Sequence, residues 1–295
     1  MPVIQPDRPV PDPTQPFPAA ARFCAPIYDA TVPRAELVAG APFGRGNRYR
    51  LRQLLGTGGM ASVWLADDLG TGPGPHPRVA IKILADSLAL DPGSVDRFRR
   101  EAQIASALRH PRVVSVHDDG GDHRRPYLAM DYVDGQTLAQ RMQADDPPDA
   151  SRLARQLLEA VAFIHGAGVL HRDVKPSNVL INPDGDVMLF DFGIALSPSA
   201  QRLTQAGHVM GTARYVAPEV LRGQPPDERA DLYSCGVLLE VCAGIAASPS
   251  LWRVIDALTR ALPEERPPSA AAALLMLDGP RPSIPATRRP LQPAT

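Results

Sequence analysis

The chain has 295 residues, 44% of them hydrophobic, which is enough for one large domain or for two lobes sharing a cleft. Its formal charge of -1 lacks the basic excess of a phosphate-backbone binder, so nucleic acid is excluded as a partner class. No run reaches the about 18 apolar residues of a membrane span, and the start, MPVIQPDRPVPDPTQP, has no apolar h-region, so a soluble cytoplasmic protein is expected.

Prolines crowd both ends, where apolar residues are too few to build a core. Residues 1–47 are therefore expected to form a disordered or loosely docked arm, with Phe17, Phe23, Ile27 and Tyr28 as its anchors. Residues 279–295 form a similar Pro-rich tail. The folded region is expected to run from 48 to 278, with an N-lobe over about 48–133 and a C-lobe over about 134–278.

Within it, YRLRQLL alternates as a half-buried strand does, enters a glycine-rich turn, and leads to a second strand in ASVWLADD. VAIKIL reads as a third strand. Val95, Phe98, Ile104, Ala105 and Leu108 predict a helix from Ser94 to Leu108, and VVSVHDD and YLAMDYV predict further strands. Beyond Gly135 the period changes: Leu153, Leu157, Leu158, Val161 and Ile164 mark one helix face. GVLHRDVKPSNVLI reads as a loop between short buried strands, and DLYSCGVLLEVCAG and LWRVIDALTRAL read as helices. The fold class is α+β, a β-rich lobe followed by an α-rich one. Cys235 and Cys242, two turns apart on one predicted helix, would sit roughly 10 Å apart, too far for a disulfide. With Cys24 they fit no metal spacing and read as free thiols.

Three motifs carry chemistry. In Gly56-Thr57-Gly58-Gly59-Met60-Ala61-Ser62-Val63, positions without side chains let backbone N–H groups approach phosphate oxygens, although a bare glycine hairpin has the same look. Lys82 is a single cation in the apolar strand Val79-Ala80-Ile81-Lys82, costly to bury without a partner, and Glu101 on the next helix can be that partner. His171-Arg172-Asp173-Val174-Lys175-Pro176-Ser177-Asn178 followed by Asp191-Phe192-Gly193 supplies a carboxylate to orient an attacking hydroxyl, and hard oxygens suited to Mg²⁺.

Together these motifs, in this order and over about three quarters of the chain, resemble the bacterial eukaryotic-like protein serine/threonine kinases, whose glycine loop reads GxGGMA. The resemblance implies a two-lobed protein-kinase fold and transfer of the γ-phosphate of ATP, with Mg²⁺, to Ser or Thr hydroxyls of protein substrates and of the chain itself. It implies that Gly56, Gly58 and Ala61 shape the phosphate loop, with Ala61 in place of the family's third glycine. Lys82 would contact phosphates and pair with Glu101, Asp173 would be the catalytic base, and Lys175 would neutralise charge on the γ-phosphate. Asn178 and Asp191 would bind metal. Leu55, Val63, Ala80 and Leu180 would wall the adenine slot, with Met130 as gatekeeper and the backbones of Asp131 and Val133 as hinge. Glu219 would pair with Arg266, and Asp231 would brace the catalytic loop. Arg172 implies switching by phosphorylation in the activation segment, where Thr204 and Thr212 are the candidate regulatory positions.

Two departures stand out. Ala206 occupies the place of a second activation-segment threonine, and only AGIAASPS separates Ala243 from the helix near Leu251, where relatives carry a longer insertion that forms a docking helix. The C-lobe is thus expected to be shortened after the Asp231 helix, its bare face covered by an activating partner, a homodimer or a Pro-rich arm. A nucleotide-binding scaffold or inactive kinase acting through a partner is the alternative.

Overall fold

The computed structural model describes residues 36–72, 76–120, 124–192, 213–243 and 247–279. The predicted arm anchors, Thr204, Ala206, Thr212 and residues 280–295 of the Pro-rich tail lie outside the described residues.

The upper lobe is a six-stranded sheet. Its strands are Pro42–Phe43 (β1), Tyr49–Thr57 (β2), Ala61–Asp68 (β3), Arg78–Leu84 (β4), Val116–Asp119 (β5) and Tyr127–Asp131 (β6), in the order β1-β2-β3-β4-β6-β5 with every neighbour antiparallel. The sheet begins earlier than the alternation predicts. Phe43 pairs with Tyr49, is buried, and meets the Tyr127 ring edge-on with centroids 5.3 Å apart. This pairing joins residues 42 and 43, on the arm side of the expected boundary, to the sheet. A two-residue strand has no period to read, and Pro42 is tolerated because it begins an edge strand.

The alternation of β2 also ends early: Tyr49 and Leu51 are buried, whereas Leu54 and Leu55 are exposed. Irregularities in the β2–β3 register between Leu51 and Gln53 and between Leu54 and Gly56 shift the phase by which successive side chains change face.

Helix Pro92–Ala107 (α1) starts where Asp91 accepts from Ser94 N at 2.9 Å with Pro92 in the first turn. Its buried face carries Val95, Phe98, Glu101, Ala102 and Ala105. Val95, Phe98 and Ala102 pack with Leu84 and Leu128 of the sheet. One glutamate among apolar neighbours needs a cation, and Lys82 of β4 supplies it.

After β6 the chain crosses to the lower lobe through Gly135. A Cβ there would lie 2.4 Å from the carbonyl oxygen of Ile181, so only glycine lets the crossing pass this close. A small sheet follows, Gln136–Thr137 (β7), Val179–Ile181 (β8) and Val187–Leu189 (β9), with helices Leu138–Gln143 (α2) and Ala150–Gly166 (α3) between its first two strands. The strand expected before His171 does not form, because Val169 N instead bonds to Ile164 O at 3.0 Å and closes the end of α3.

Helices Pro218–Leu221 (α4), Glu228–Ala243 (α5), Pro249–Leu258 (α6) and Ala270–Asp278 (α7) complete the lobe. Leu153, Leu157, Val161 and Ile164 of α3 meet Leu232, Leu238, Leu251 and Val254 in one core. Gly236 lets α5 and α6 touch, since a Cβ there would sit 2.7 Å from Leu258 Cβ. Cys235 and Cys242 are free and buried on α5. Only residues 244–248 separate α5 from α6, and Leu221, Trp252 and Leu262 are exposed on this lobe.

Candidate active site

The two lobes bring their charged residues to one place. Lys82 lies in β4 with Val63 and Leu128 as its cross-strand partners, its Nζ 2.8 Å from Glu101 Oε1 and also bonded to Asp191 Oδ1. Burial alone would pull the Lys82 ammonium down, but the Asp191 and Glu101 carboxylates outweigh it and hold the group above the ordinary lysine range. Burial pushes Asp191 up and Lys82 pulls it back further, so it stays ionised. For Glu101 burial leads, Lys82 opposes and the like charge of Asp191 adds, which leaves it raised to about 7.

A test follows from two carboxylates sharing one ammonium. In a carboxyl-carbon NMR titration of the nucleotide-free chain, Glu101 should titrate near neutrality. Asp191→Asn, which removes the like charge and leaves Lys82 to Glu101 alone, should move that titration toward the ordinary glutamate value of about 4.3. An unchanged midpoint would mean that the two carboxylates do not compete.

Below them, the loop from His171 to Asn178 hangs from α5. Asp231 is nearly fully buried; its Oδ2 accepts from His171 N at 2.8 Å and its Oδ1 from Arg172 N at 2.7 Å. His165 Nε2 lies 2.9 Å from the same carboxylate. This grip holds Arg172 at φ 64°, a left-handed conformation that a non-glycine residue adopts only under constraint.

His171 is fully buried, and burial lowers its pKa and keeps it neutral. Its Nε2 faces the Phe190 carbonyl at 3.1 Å, which can only accept, so the ring proton is on Nε2. Nδ1 is left to accept from Asp173 N at 3.3 Å. The ring stacks at a tilt on Phe192, centroids 5.1 Å apart, and so ties the Asp173 loop to the strand-end that carries Asp191.

At the acid itself, Asn178 Nδ2 donates to Asp173 Oδ2 at 2.9 Å, and to the Asp173 carbonyl at 2.9 Å. Lys175 Nζ stands 2.7 Å from the same Oδ2. Both side-chain partners therefore meet one oxygen, and Oδ1 makes no further bond among the described residues. The Asn178 amide nitrogen is fully occupied, and its Oδ1 accepts only a long bond, 3.3 Å, from Ser177.

Of the other predicted site residues, Ala80 and Met130 are cross-strand partners, with Ala80 buried and Met130 between the two lobes. Val63 and Leu180 are half-buried, and Leu55 is exposed at the rim of the glycine turn. That turn is closed by Gly58 N donating to Ala61 O at 2.9 Å, with Gly56 opposite Val63. Asp131 gives its N–H to Ser115 O at 3.0 Å and its carboxylate to His117 at 2.5 Å, and Val133 follows half-buried. Gly193, Thr204 and Thr212 lie outside the described residues. Further down, Glu219 and Arg266 form a buried two-bond pair at 2.7 and 2.8 Å. Sequence reasoning passed over His165, and Asp186, which gathers Arg112, Arg152 and Gln156 at 2.7, 3.0 and 3.1 Å. Neither sits in a motif, and both act through partners at least 30 residues away.

The donor set suits a hard divalent cation. Among the described residues no three His, Cys, Asp or Glu side chains converge as a self-sufficient metal cage. Asn178 and Asp191 offer an oxygen pair of the kind that holds Mg²⁺ together with water and phosphate.

A β-sheet bearing a lysine–glutamate pair, set over a helix-held loop with an acid and an asparagine, is the architecture of the protein kinases. The chain belongs to that family: the family model for the protein kinase domain matches residues 49–251. Among curated proteins it is similar to bacterial serine/threonine-protein kinases. It is 44% identical over 209 residues to the serine/threonine-protein kinase PknB of Mycolicibacterium smegmatis, covering 67% of this chain and 33% of that protein. It is 43% identical over 203 residues to the probable serine/threonine-protein kinase SCO3848 of Streptomyces coelicolor, covering 66% of this chain and 30% of that one. The chain thus spans about a third of the length of these curated relatives. Among solved structures, the PknI kinase domain of Mycobacterium tuberculosis matches with a TM-score of 0.63 at 29% identity, over 82% of this chain and 99% of that one. The PpkA-294 apo form matches with a TM-score of 0.70 at 22% identity, over 82% and 99%, a likeness of fold. No helix among the described residues is long and apolar enough to cross a membrane.

Proposed function

We propose that the chain is an ATP-dependent protein serine/threonine kinase that transfers the γ-phosphoryl group to Ser or Thr hydroxyls of proteins, its own included. The observation that carries this reading is the Asp173 carboxylate, fixed through one oxygen by Lys175 and Asn178 with the other left open. Bound Mg²⁺ would neutralise phosphate charge and align the phosphates, with Asn178 and Asp191 as its protein ligands. Lys82, kept charged and aimed by Glu101, binds α- and β-phosphate oxygens. Asp173 orients the acceptor hydroxyl and takes its proton as the oxygen bonds to the γ-phosphorus. The bond from that phosphorus to the bridging oxygen breaks, and ADP leaves. Lys175 stands beside the acid to offset charge gathering on the transferred group.

Regulation through Arg172 with Thr204 or Thr212 in the activation segment rests on the family pattern. An activating partner or second copy on the lower lobe is supported by the exposed Leu221, Trp252 and Leu262. The competing reading, a nucleotide-binding scaffold, rests on the shortened lower lobe and on Ala61. Lys82, Glu101 and Asp191 form one bonded set and Asp173 and Asn178 another, which supports chemistry.

The test is γ-phosphate label transfer with Mg²⁺, followed by phosphoamino-acid analysis. Label should appear on Ser or Thr, and Lys82→Met should lower the rate by about 10²–10³-fold, the usual loss when one preorganised electrostatic group is removed. Nucleotide binding without label on any acceptor would favour the scaffold.

A further inference from the structure

The last residue of β6, Asp131, is held in an unusual way. On β5 the register against β6 slips by one residue: Val116 faces Met130 and Asp118 faces Ala129, which leaves His117 between them with no residue opposite. The slip is fixed on both sides, because Val116 is buried in the main core and Asp118 accepts from the Tyr49 hydroxyl at 2.8 Å. The extra residue reaches Asp131, with His117 Nε2 standing 2.5 Å from Asp131 Oδ1. A carboxylate only accepts, so Nε2 carries the ring proton. Both side chains are exposed, so a substitution at His117 leaves the core packing intact.

Ahead of the slip, the register places Ser115 directly across from Asp131. A hydrogen-bonded pair in an antiparallel ladder exchanges two bonds, each N–H meeting the other residue's carbonyl. Here only one of them is made. Asp131 N donates to Ser115 O at 3.0 Å, whereas Ser115 N donates to Asp131 Oδ2 at 3.3 Å. The carboxylate has taken the place of the residue's own carbonyl, which receives no bond from Ser115. His117 grips the second carboxylate oxygen and so keeps the side chain in that place. On the β4 side, Arg78 lies over the Tyr132 ring, 5.1 Å from its centre, and pins the next residue.

Resting on the kinase reading, we infer that His117 is a positioning residue for the nucleotide: by holding the Asp131 carboxylate on Ser115 N, it leaves the Asp131 carbonyl free for the base. A free carbonyl accepts and never donates. It therefore favours a base with an amino group at the facing edge, as adenine has at C6, over one with an oxygen there, as hypoxanthine and guanine have. His117 lies outside every motif of the site and acts only through Asp131. Its effect falls on which nucleotide is held and leaves the transfer step alone.

The test measures binding of ATP to the full chain with Mg²⁺, and of ITP by competition against labelled ATP; the two bases carry an amino group and an oxygen at C6. His117→Phe keeps a ring and loses both nitrogens, which releases the Asp131 carboxylate and lets Ser115 N return to the carbonyl. Its ATP affinity should fall about three- to tenfold, the worth of one hydrogen bond, while its ITP affinity stays within about twofold. His117→Gln, whose amide nitrogen can donate to the same oxygen, should restore ATP affinity. Unchanged ATP affinity in His117→Phe would overturn the inference and leave the kinase reading intact. So would an equal loss for both nucleotides, or a Gln variant as weak as the Phe variant, since either would make the imidazole structural only. An unsubstituted chain that binds neither nucleotide would overturn both readings.

Discussion

Asp173→Asn is expected to lower kcat for phosphoryl transfer by about 10²–10⁴-fold, the range that one positioned acid–base group contributes, with nucleotide affinity nearly unchanged. The separation arises from the layout of the site. Lys82 and its two carboxylates form one cluster, and Asp173 belongs to another, with Lys175 and Asn178. An asparagine still offers Asn178 and Lys175 an acceptor oxygen, so the loop keeps its shape. It has no lone pair able to take the hydroxyl proton at its amide end, so the chemical step loses its acceptor. Steady-state label transfer, with nucleotide binding measured separately, decides it. A variant that retains its rate would remove Asp173 from the reaction.

Arg266→Ala should be the most damaging single change to the lower lobe. The guanidinium is fully buried and spends its donors on Glu219 at 2.7 and 2.8 Å, on the Arg229 carbonyl at 2.9 Å and on the Arg260 carbonyl at 2.8 Å. It also lies over the Tyr233 ring, 4.9 Å from its centre. Truncation leaves a buried carboxylate without its partner, which costs about 3–5 kcal/mol. At about 2–4 °C per kcal/mol for a domain of this size, Tm should fall by about 6–20 °C. Pairing Arg266→Met with Glu219→Gln should cost clearly less than the two single changes added together, because no charge is then stranded. Strict additivity in thermal denaturation would show that the pair does not act as a unit.

The sequence displayed the chemistry better than the packing. Lys82 and Asp191 stood out as polar residues among apolar neighbours, whereas Glu101, Asp173 and Asn178 were picked out as potential partner and oxygen donors and given their roles by the family pattern. The strands and long helices were legible by period. The β1 pairing was not, since two residues carry no alternation. The burial of β2 was misread because irregular register moves side chains across the sheet without a mark in the composition. A concavity between α2 and the catalytic loop was invisible for a different reason: Ala139, Met142, Pro176 and Tyr215 are ordinary residues, and what matters is that α2, the catalytic loop and the segment before α4 converge. His165 and Asp186 illustrate the same limit for polar residues, since their partners lie far away in sequence.

Arg172 has a consequence for how this chain would drift in a laboratory selection. Its backbone sits at φ 64°, where a side chain costs about 1–2 kcal/mol relative to glycine, and its exposed guanidinium forms no ion pair among the described residues. Glycine would relieve that strain and return only the about 0.5–1 kcal/mol of extra freedom in the unfolded chain. A population evolved for heat tolerance alone would therefore tend to fix glycine at this position, and would do so without any loss in folding. Such a drift would strip the loop of its one exposed cation next to the acid, so thermal robustness and the proposed control through Arg172 would pull this single codon in opposite directions.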